Sequence, residues 1–313
     1  MGDNSLALDH GVGVAWVFPG QGSQHVGMGK ALFDAYPQVH ALYRQADSLL
    51  GYALSGICFT GPADVLQQTN HAQPALLVTE MAHLEALRLK YPGKFDQAEF
   101  VAGHSLGEYS ALVAAGVLTF ADALQLVSER GKLMQEAGSL LGRPTGMLAV
   151  IGLPDTALGA VCEEAEVDLA NINAPGQVVL SGPLDALERA GTLARGHGAR
   201  RVVALPVSAA FHSRWMQSMS DTFAEKIEAT HFSEPRTQVV ANVSAAPVLS
   251  SSEIRRLLAM QTYSSVRWVE SVEYIAGQGV STFVEIGPGK VLSGLIKRIV
   301  PDAQVLSSED LLA

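Results

Sequence analysis

The 313-residue sequence predicts an α/β protein with a central parallel sheet, interrupted by a smaller inserted unit of ferredoxin-like order. Three observations predict it. A near-continuous apolar run, Val12–Phe18, ends in a glycine-rich loop, Pro19–Gln24; such runs suit strands buried on both faces. A second short apolar run, Phe100–Ala102, leads through Gly103-His104-Ser105-Leu106-Gly107 into a stretch with helical spacing at Leu106, Tyr109, Leu112 and Val113. A later stretch, beginning at Met147 and ending at Leu205, reads strand-helix-strand-strand-helix-strand.

In chain order, residues 1–11 are expected to be a flexible tail. Residues 31–50 and 74–90 read as helices, the second with Leu76, Leu77, Met81, Leu84 and Leu87 mostly three and four apart and Pro74 suited to a first turn. Thr119 is the expected N-cap of a helix through Ala137. Composition then changes over Gly138–Gly146. The inserted unit takes Met147–Ile151 as strand, Asp155–Ala165 as helix, and Asp168–Ile172 and Gln177–Leu180 as strands joined by the turn Asn173-Ala174-Pro175-Gly176. A helix over Leu184–Gly196 and a strand over Arg201–Leu205 complete it. The larger pattern then resumes, with strands at Gln238–Asn242 and Thr282–Ile286 and helices at Ser252–Met260, Val266–Ala276 and Val291–Ile299. The expected division is therefore a core of residues 12–140 with 207–313 and a small domain of residues 141–206, in keeping with a chain longer than one hydrophobic core usually spans.

Composition narrows the function classes. The chain is 48% hydrophobic and 17% charged, and 21 basic residues against 31 acidic give a net charge of −10. With no basic stripe interleaved with aromatics, nucleic-acid binding is not expected. Two cysteines, Cys58 and Cys162, make no disulfide framework and suit a reduced, cytoplasmic setting. No apolar stretch is long enough for a membrane span, no signal peptide is apparent, and no fixed-period repeat is present.

The chemistry gathers around Ser105. A G-x-S-x-G between a strand and a helix is the setting of a nucleophile elbow, and the helix N-terminus favours the charge of an oxyanion. The Pro19–Gln24 loop lacks the third glycine of a dinucleotide fingerprint and the Gly-Lys-Ser/Thr of a P-loop. It remains suited to aiming a second backbone N–H at the site. A base following the nucleophile in chain order is satisfied by His212, and equally by His197 and His231; Ser213 is placed to cap the helix after His212. Spacing alone makes Arg130 a solvated helical charge. No metal-ligand spacing such as H-E-x-x-H occurs.

Taken together, FPGQGSQ at 18–24, QPALL at 73–77, GHSLGEYSALVAAG at 103–116, ERGKLMQ at 129–135, NAPGQVVLSG at 173–182, AFHS at 210–213 and VEIGPGKVLSGLIKR at 284–298 resemble the malonyl-CoA:acyl carrier protein transacylases. The resemblance runs in order from about Val14 to Val300. It implies an α/β-hydrolase-like core with a ferredoxin-like insertion, and an acyltransferase of fatty acid or polyketide synthesis. Ser105 would be the nucleophile and His212 its base, oriented by a backbone carbonyl or amide instead of a triad aspartate. The N–H groups of Gln21 and Leu106 would form the oxyanion hole, and Arg130 would grip the malonyl carboxylate, a bidentate task that suits arginine. Gln73, Asn173 and Gln261 would line the site. Phe211, with Leu106, resembles the malonyl-selecting pattern, its ring crowding a branch at the α-carbon.

The resemblance further implies malonyl-CoA and acyl carrier protein as partners, no metal or other cofactor (the phosphopantetheine belongs to the carrier) and a monomer. Carrier docking would need a local basic patch, for which Arg200, Arg201, Arg214, Lys290, Lys297 and Arg298 are candidates. Two competing readings stand. One is an editing acyl-thioester hydrolase with the same Ser-His site, against which Arg130 speaks, because a neutral acyl chain gains nothing from a guanidinium. The other is a catalytically silent scaffold for carrier protein, against which intact Ser105, His212 and Arg130 speak.

Overall fold

The computed structural model describes residues 13–140, 142–207 and 209–313; the tail expected over residues 1–11 lies outside them. Among the described residues ten strands form two sheets. The larger runs β10-β9-β1-β2-β7-β8, with β1 Val14–Phe18, β2 Phe100–Gly103, β7 Gln238–Val240, β8 Pro247–Val248, β9 Thr282–Glu285 and β10 Gln304–Ser307. Its first five strands are parallel, and β8 turns back antiparallel on β7 at one edge. All five residues of β1 are buried. Trp16 and Phe18 pack into one apolar cluster, and Ala15 and Val17 into another on the opposite face. That two-sided burial is why the strand reads as an unbroken apolar run.

The smaller sheet runs β4-β5-β3-β6, all antiparallel, with β3 Thr145–Ile151, β4 Asp168–Ala174, β5 Gln177–Pro183 and β6 Arg201–Ala204. Helices Asp155–Ala165 and Leu184–Gly196 complete the βαββαβ order, and Leu148, Val150, Leu180, Leu187 and Ala190 contribute to a core of its own. The unit meets the rest of the chain through a bridge between Asn171 and Val266 and through Asp168, which accepts from both the backbone N–H and the guanidinium of Arg214.

Several elements differ from expectation. The helix expected over 31–50 is two, Lys30–Ala35 and Pro37–Leu50, broken at the extended residue Tyr36 because proline disfavours helical backbone before it. Pro74 does not start its helix; the helix runs Thr69–Lys90 and carries the proline inside. Helices Leu54–Thr60, Ala63–Gln67 and Ser308–Leu312 and strands β8 and β10 were not expected; each is too short to show a period. Thr119 caps as expected, accepting from the Asp122 N–H at 3.1 Å. Ser213 does not cap; its hydroxyl turns back to the carbonyl of Ala210 at 2.5 Å.

What matters for the site is register. Phe18 pairs with Gly103, so the Pro19–Gln24 loop and the Ser105 turn leave adjacent strands at the same carboxyl edge, where open α/β sheets carry their ligands. The turn closes tightly: a Cβ on Gly103 would lie 1.9 Å from the Gly107 carbonyl carbon, and one on Gly107 would lie 2.1 Å from the Phe18 oxygen. Gly103→Ala is therefore expected to lower folding stability by roughly 3 kcal/mol or more, read as a shifted denaturation midpoint. An unchanged midpoint would contradict this packing.

Candidate active site

Ser105 has a φ of 53°, a left-handed conformation uncommon for a non-glycine residue and characteristic of a nucleophile elbow. Two amide side chains hold it there. The Ser105 N–H donates to Asn242 Oδ1 at 2.7 Å, and Asn242 Nδ2 donates to the Gly103 carbonyl at 2.6 Å. Gln261 Nε2 donates to the Ser105 carbonyl at 3.0 Å. Asn242 lies just past β7, the strand beside β2, so the sheet order itself brings it under the turn.

His212 also has a positive φ, 57°, and its N–H donates to the Thr262 carbonyl. Its Nδ1 lies 2.8 Å from the main-chain carbonyl of Gln261, and its Nε2 lies 2.7 Å from Ser105 Oγ. A carbonyl only accepts, so Nδ1 carries the proton and Nε2 is left as the acceptor facing the serine hydroxyl. Burial, reinforced by the neighbouring Arg130 guanidinium, pushes the imidazole down to about 3. The ring is thus neutral near pH 7, as a base must be before the reaction. Just before it, the Phe211 carbonyl accepts from Ser181 Oγ at 2.6 Å, which ties the main chain there, and Phe211 borders the cleft.

Arg130 is not the solvated charge its spacing suggests; it is 1% exposed. Gly131 makes this possible. A Cβ there would come within 2.9 Å of Asn70 Cα, so its helix, Phe120–Leu140, lies directly against helix Thr69–Lys90. From that contact Arg130 Nη1 donates to Gln73 Oε1 at 2.7 Å, while Nη2 donates to Gln261 Oε1 at 3.0 Å and to Ser105 Oγ at 3.1 Å. The guanidinium lies 5.6 Å from the Tyr109 ring centroid. All its hydrogen-bond acceptors are neutral, its Nε has none, and it makes no ion pair among the described residues. A buried cation with no carboxylate in direct contact is stabilised further when one reaches it.

Gln21, Ser105, Leu106, Arg130, Phe211 and His212 all border one cleft. The Gln21 side chain is tied to Thr69 Oγ1 at 3.1 Å. Nearby N–H groups have acceptors, Gly22 on Gln24 Oε1 and Gly107 on the His104 carbonyl, but the N–H groups of Gln21 and Leu106 have none among the described residues. Gln73 and Gln261 stand behind Arg130 rather than in the cleft wall. Asn173 is also removed from it: its Oδ1 lies 2.8 Å from His104 Nε2, and Asn171 takes the place at the wall. Of the surface cations considered for carrier docking, Arg214 is paired with Asp168, Lys290 with Asp310 at 2.6 Å, and Arg298 with Gln177 and the Pro175 carbonyl. No group of three or more His, Cys, Asp or Glu residues placed to hold a metal ion occurs among the described residues.

Sequence reasoning passed over Glu108 and Asn242. Both had a signal: Glu108 is an acid one turn after the nucleophile in a short, mostly apolar helix, and Asn242 is a polar residue just past the carboxyl end of a strand. Glu108 Oε2 accepts from Gln261 Nε2 at 2.7 Å and from the Asn242 N–H at 3.1 Å, beneath the elbow.

Comparison with known proteins places this geometry in a family. The acyl transferase domain family matches residues 15–312. The chain is 46% identical over 291 residues to the malonyl CoA-acyl carrier protein transacylase of Escherichia coli O157:H7, covering 91% of this chain and 92% of that protein. It is 41% identical over 298 residues to a Bacillus subtilis polyketide biosynthesis malonyl CoA-acyl carrier protein transacylase, covering 94% and 99%. Among solved structures, an acyl carrier protein S-malonyltransferase from Vibrio cholerae superposes with a TM-score of 0.90 at 41% identity, covering 96% of this chain and 99% of that one. A malonyl-transacylase solved in complex with its type II polyketide acyl-carrier protein gives a TM-score of 0.89 at 42% identity, covering 94% and 95%. With the fold, the elbow and near full-length identity in agreement, the chain belongs to the acyl transferase domain family, among its malonyl CoA-acyl carrier protein transacylases.

Proposed function

We propose that the protein transfers a malonyl group from malonyl-CoA to the phosphopantetheine thiol of an acyl carrier protein, through a malonyl ester on Ser105. The observation that carries this reading is Arg130, a buried guanidinium bordering the cleft beside the Ser105–His212 pair with only neutral hydrogen-bond acceptors. It fits an acyl group that ends in a carboxylate.

His212 Nε2 takes the Ser105 proton as Oγ attacks the thioester carbonyl. The oxyanion rests on the unpaired N–H groups of Gln21 and Leu106, each worth about 3 kcal/mol in comparable sites. The imidazolium, steadied through Nδ1 on the Gln261 carbonyl, returns the proton to the departing thiolate. The carrier thiol then gives its proton to His212, attacks the ester and leaves Ser105 reprotonated. Atoms balance without a metal or redox cofactor. The reading includes a monomeric, cytoplasmic enzyme of fatty acid or polyketide synthesis, with residues 12–140 and 207–313 as core and 141–206 as a separate domain. No helix among the described residues is long and apolar enough to cross a membrane.

The ring of Phe211 borders the cleft next to the base. Phe211→Ser is expected to raise kcat/KM for methylmalonyl-CoA relative to malonyl-CoA by roughly tenfold, about what one methyl group is worth in an apolar pocket. An unchanged ratio would count against that role. The transfer reading itself is tested with holo-acyl carrier protein and labelled malonyl-CoA. Labelled carrier, with parallel double-reciprocal lines, supports transfer. Free malonate with unlabelled carrier would mean hydrolysis instead.

A further inference from the structure

Glu108 takes no part in the proton transfers above, yet the site's hydrogen bonds converge on it. Its carboxylate accepts from the side chain of Gln261 and the backbone of Asn242. Gln261 in turn presents Oε1 to Arg130 and its main-chain carbonyl to His212, while Asn242 Oδ1 receives the Ser105 N–H. A carboxylate only accepts, so it draws the NH2 end of Gln261 and turns the oxygen end toward the guanidinium. A single buried carboxamide therefore stands between Glu108, 2% exposed, and Arg130, 1% exposed.

We propose that Glu108 is a positioning residue: it orients Gln261, serves as the resident counter-charge of Arg130, and takes up a proton when an acyl carboxylate binds that arginine. The inference rests on the malonyl-transfer reading. The groups facing Glu108 are few. Arg130 lies on helix Phe120–Leu140, Tyr109 is the next residue on its own helix, Asn242 lies just past β7, and Gln261 ends helix Ser251–Gln261, the last two offering neutral amide groups. Burial raises the Glu108 carboxyl to about 7, with Arg130 and the hydrogen bonds opposing. The group can thus change charge near neutrality.

The sign follows. With Glu108 ionised, an incoming carboxylate makes a second anion near one buried cation, and the two anions repel. With Glu108 neutral, the incoming carboxylate is the only anion. Capture of a malonyl donor should weaken as pH rises through neutrality, whereas capture of a neutral acyl donor should not.

The test compares kcat/KM for acyl-enzyme formation from malonyl-pantetheine and from acetyl-pantetheine, donors without the CoA phosphates, between pH 6 and 8.5. Their shared leaving group cancels the Ser-His chemistry in the ratio. In the wild type the malonyl-to-acetyl ratio is expected to fall at least about fivefold across this range. In Glu108→Gln, whose amide oxygen can keep both hydrogen bonds, it is expected to stay flat. A flat wild-type ratio, or an equal fall in the variant, would overturn the inference; a purely structural role would lower Tm without altering the slope. Should the variant not fold, the wild-type profile alone decides. No malonyl-enzyme at any pH would overturn the transfer reading, and this inference with it.

Discussion

Ser105→Ala is expected to lower malonyl transfer to carrier protein at least about 10⁴-fold, because loss of a serine nucleophile removes the covalent route and leaves only binding and the oxyanion hole. Fold and cleft should survive. Among the described residues the Ser105 side chain bonds only to His212 and Arg130, while the elbow is held through its backbone N–H and carbonyl by Asn242 and Gln261. The check is the transfer rate beside Tm: a collapsed rate at near-unchanged Tm is predicted. A loss below about tenfold would move the nucleophile elsewhere.

Arg130→Ala is expected to lower kcat/KM for malonyl-CoA by about 10²–10³-fold, the scale of deleting one partner of a buried charge pair, with little loss for acetyl-CoA. Arg130→Lys should not restore it. One ammonium cannot hold Gln73 and Gln261 and still present two parallel donors to a carboxylate. The measurement is kcat/KM for both donors in all three proteins. Equal losses for the two donors would show that Arg130 serves the fold and not the acyl group.

The fold was legible where local pattern and tertiary role agree. Val14–Phe18 is buried on both faces, so its apolar run states its place in the sheet. The inserted βαββαβ order could be read because its strands are long and its turn, Asn173–Gly176, is strong. Short elements such as β8, with two residues, carry no period and escaped. Pro74 misled because proline usually marks a helix start, whereas here packing against the helix of Gly131 overrides the local preference.

The site was legible in its motifs and not in its wiring. Ser105 announces itself through flanking glycines. Arg130 cannot be told from a surface charge by spacing, since its burial depends on a glycine next to it and on a glutamine fifty-seven residues earlier in the chain. His212 could not be separated from His197 and His231 by order alone. It is set apart by the Gln261 carbonyl on Nδ1, a contact spanning 49 residues. Asn173 illustrates the converse: a polar residue in a matching motif can stand one layer back, here on His104. Glu108 and Asn242 act through other residues and expose no motif of their own.

The most direct test is intact-protein mass spectrometry after brief mixing with malonyl-CoA, wild type beside Ser105→Ala and Arg130→Ala. A malonyl-sized adduct on the wild type, absent from Ser105→Ala and weak on Arg130→Ala, is the predicted result. An adduct that persists in Ser105→Ala, or a wild type that releases malonate without ever carrying it, would contradict a malonyl-serine held by Arg130.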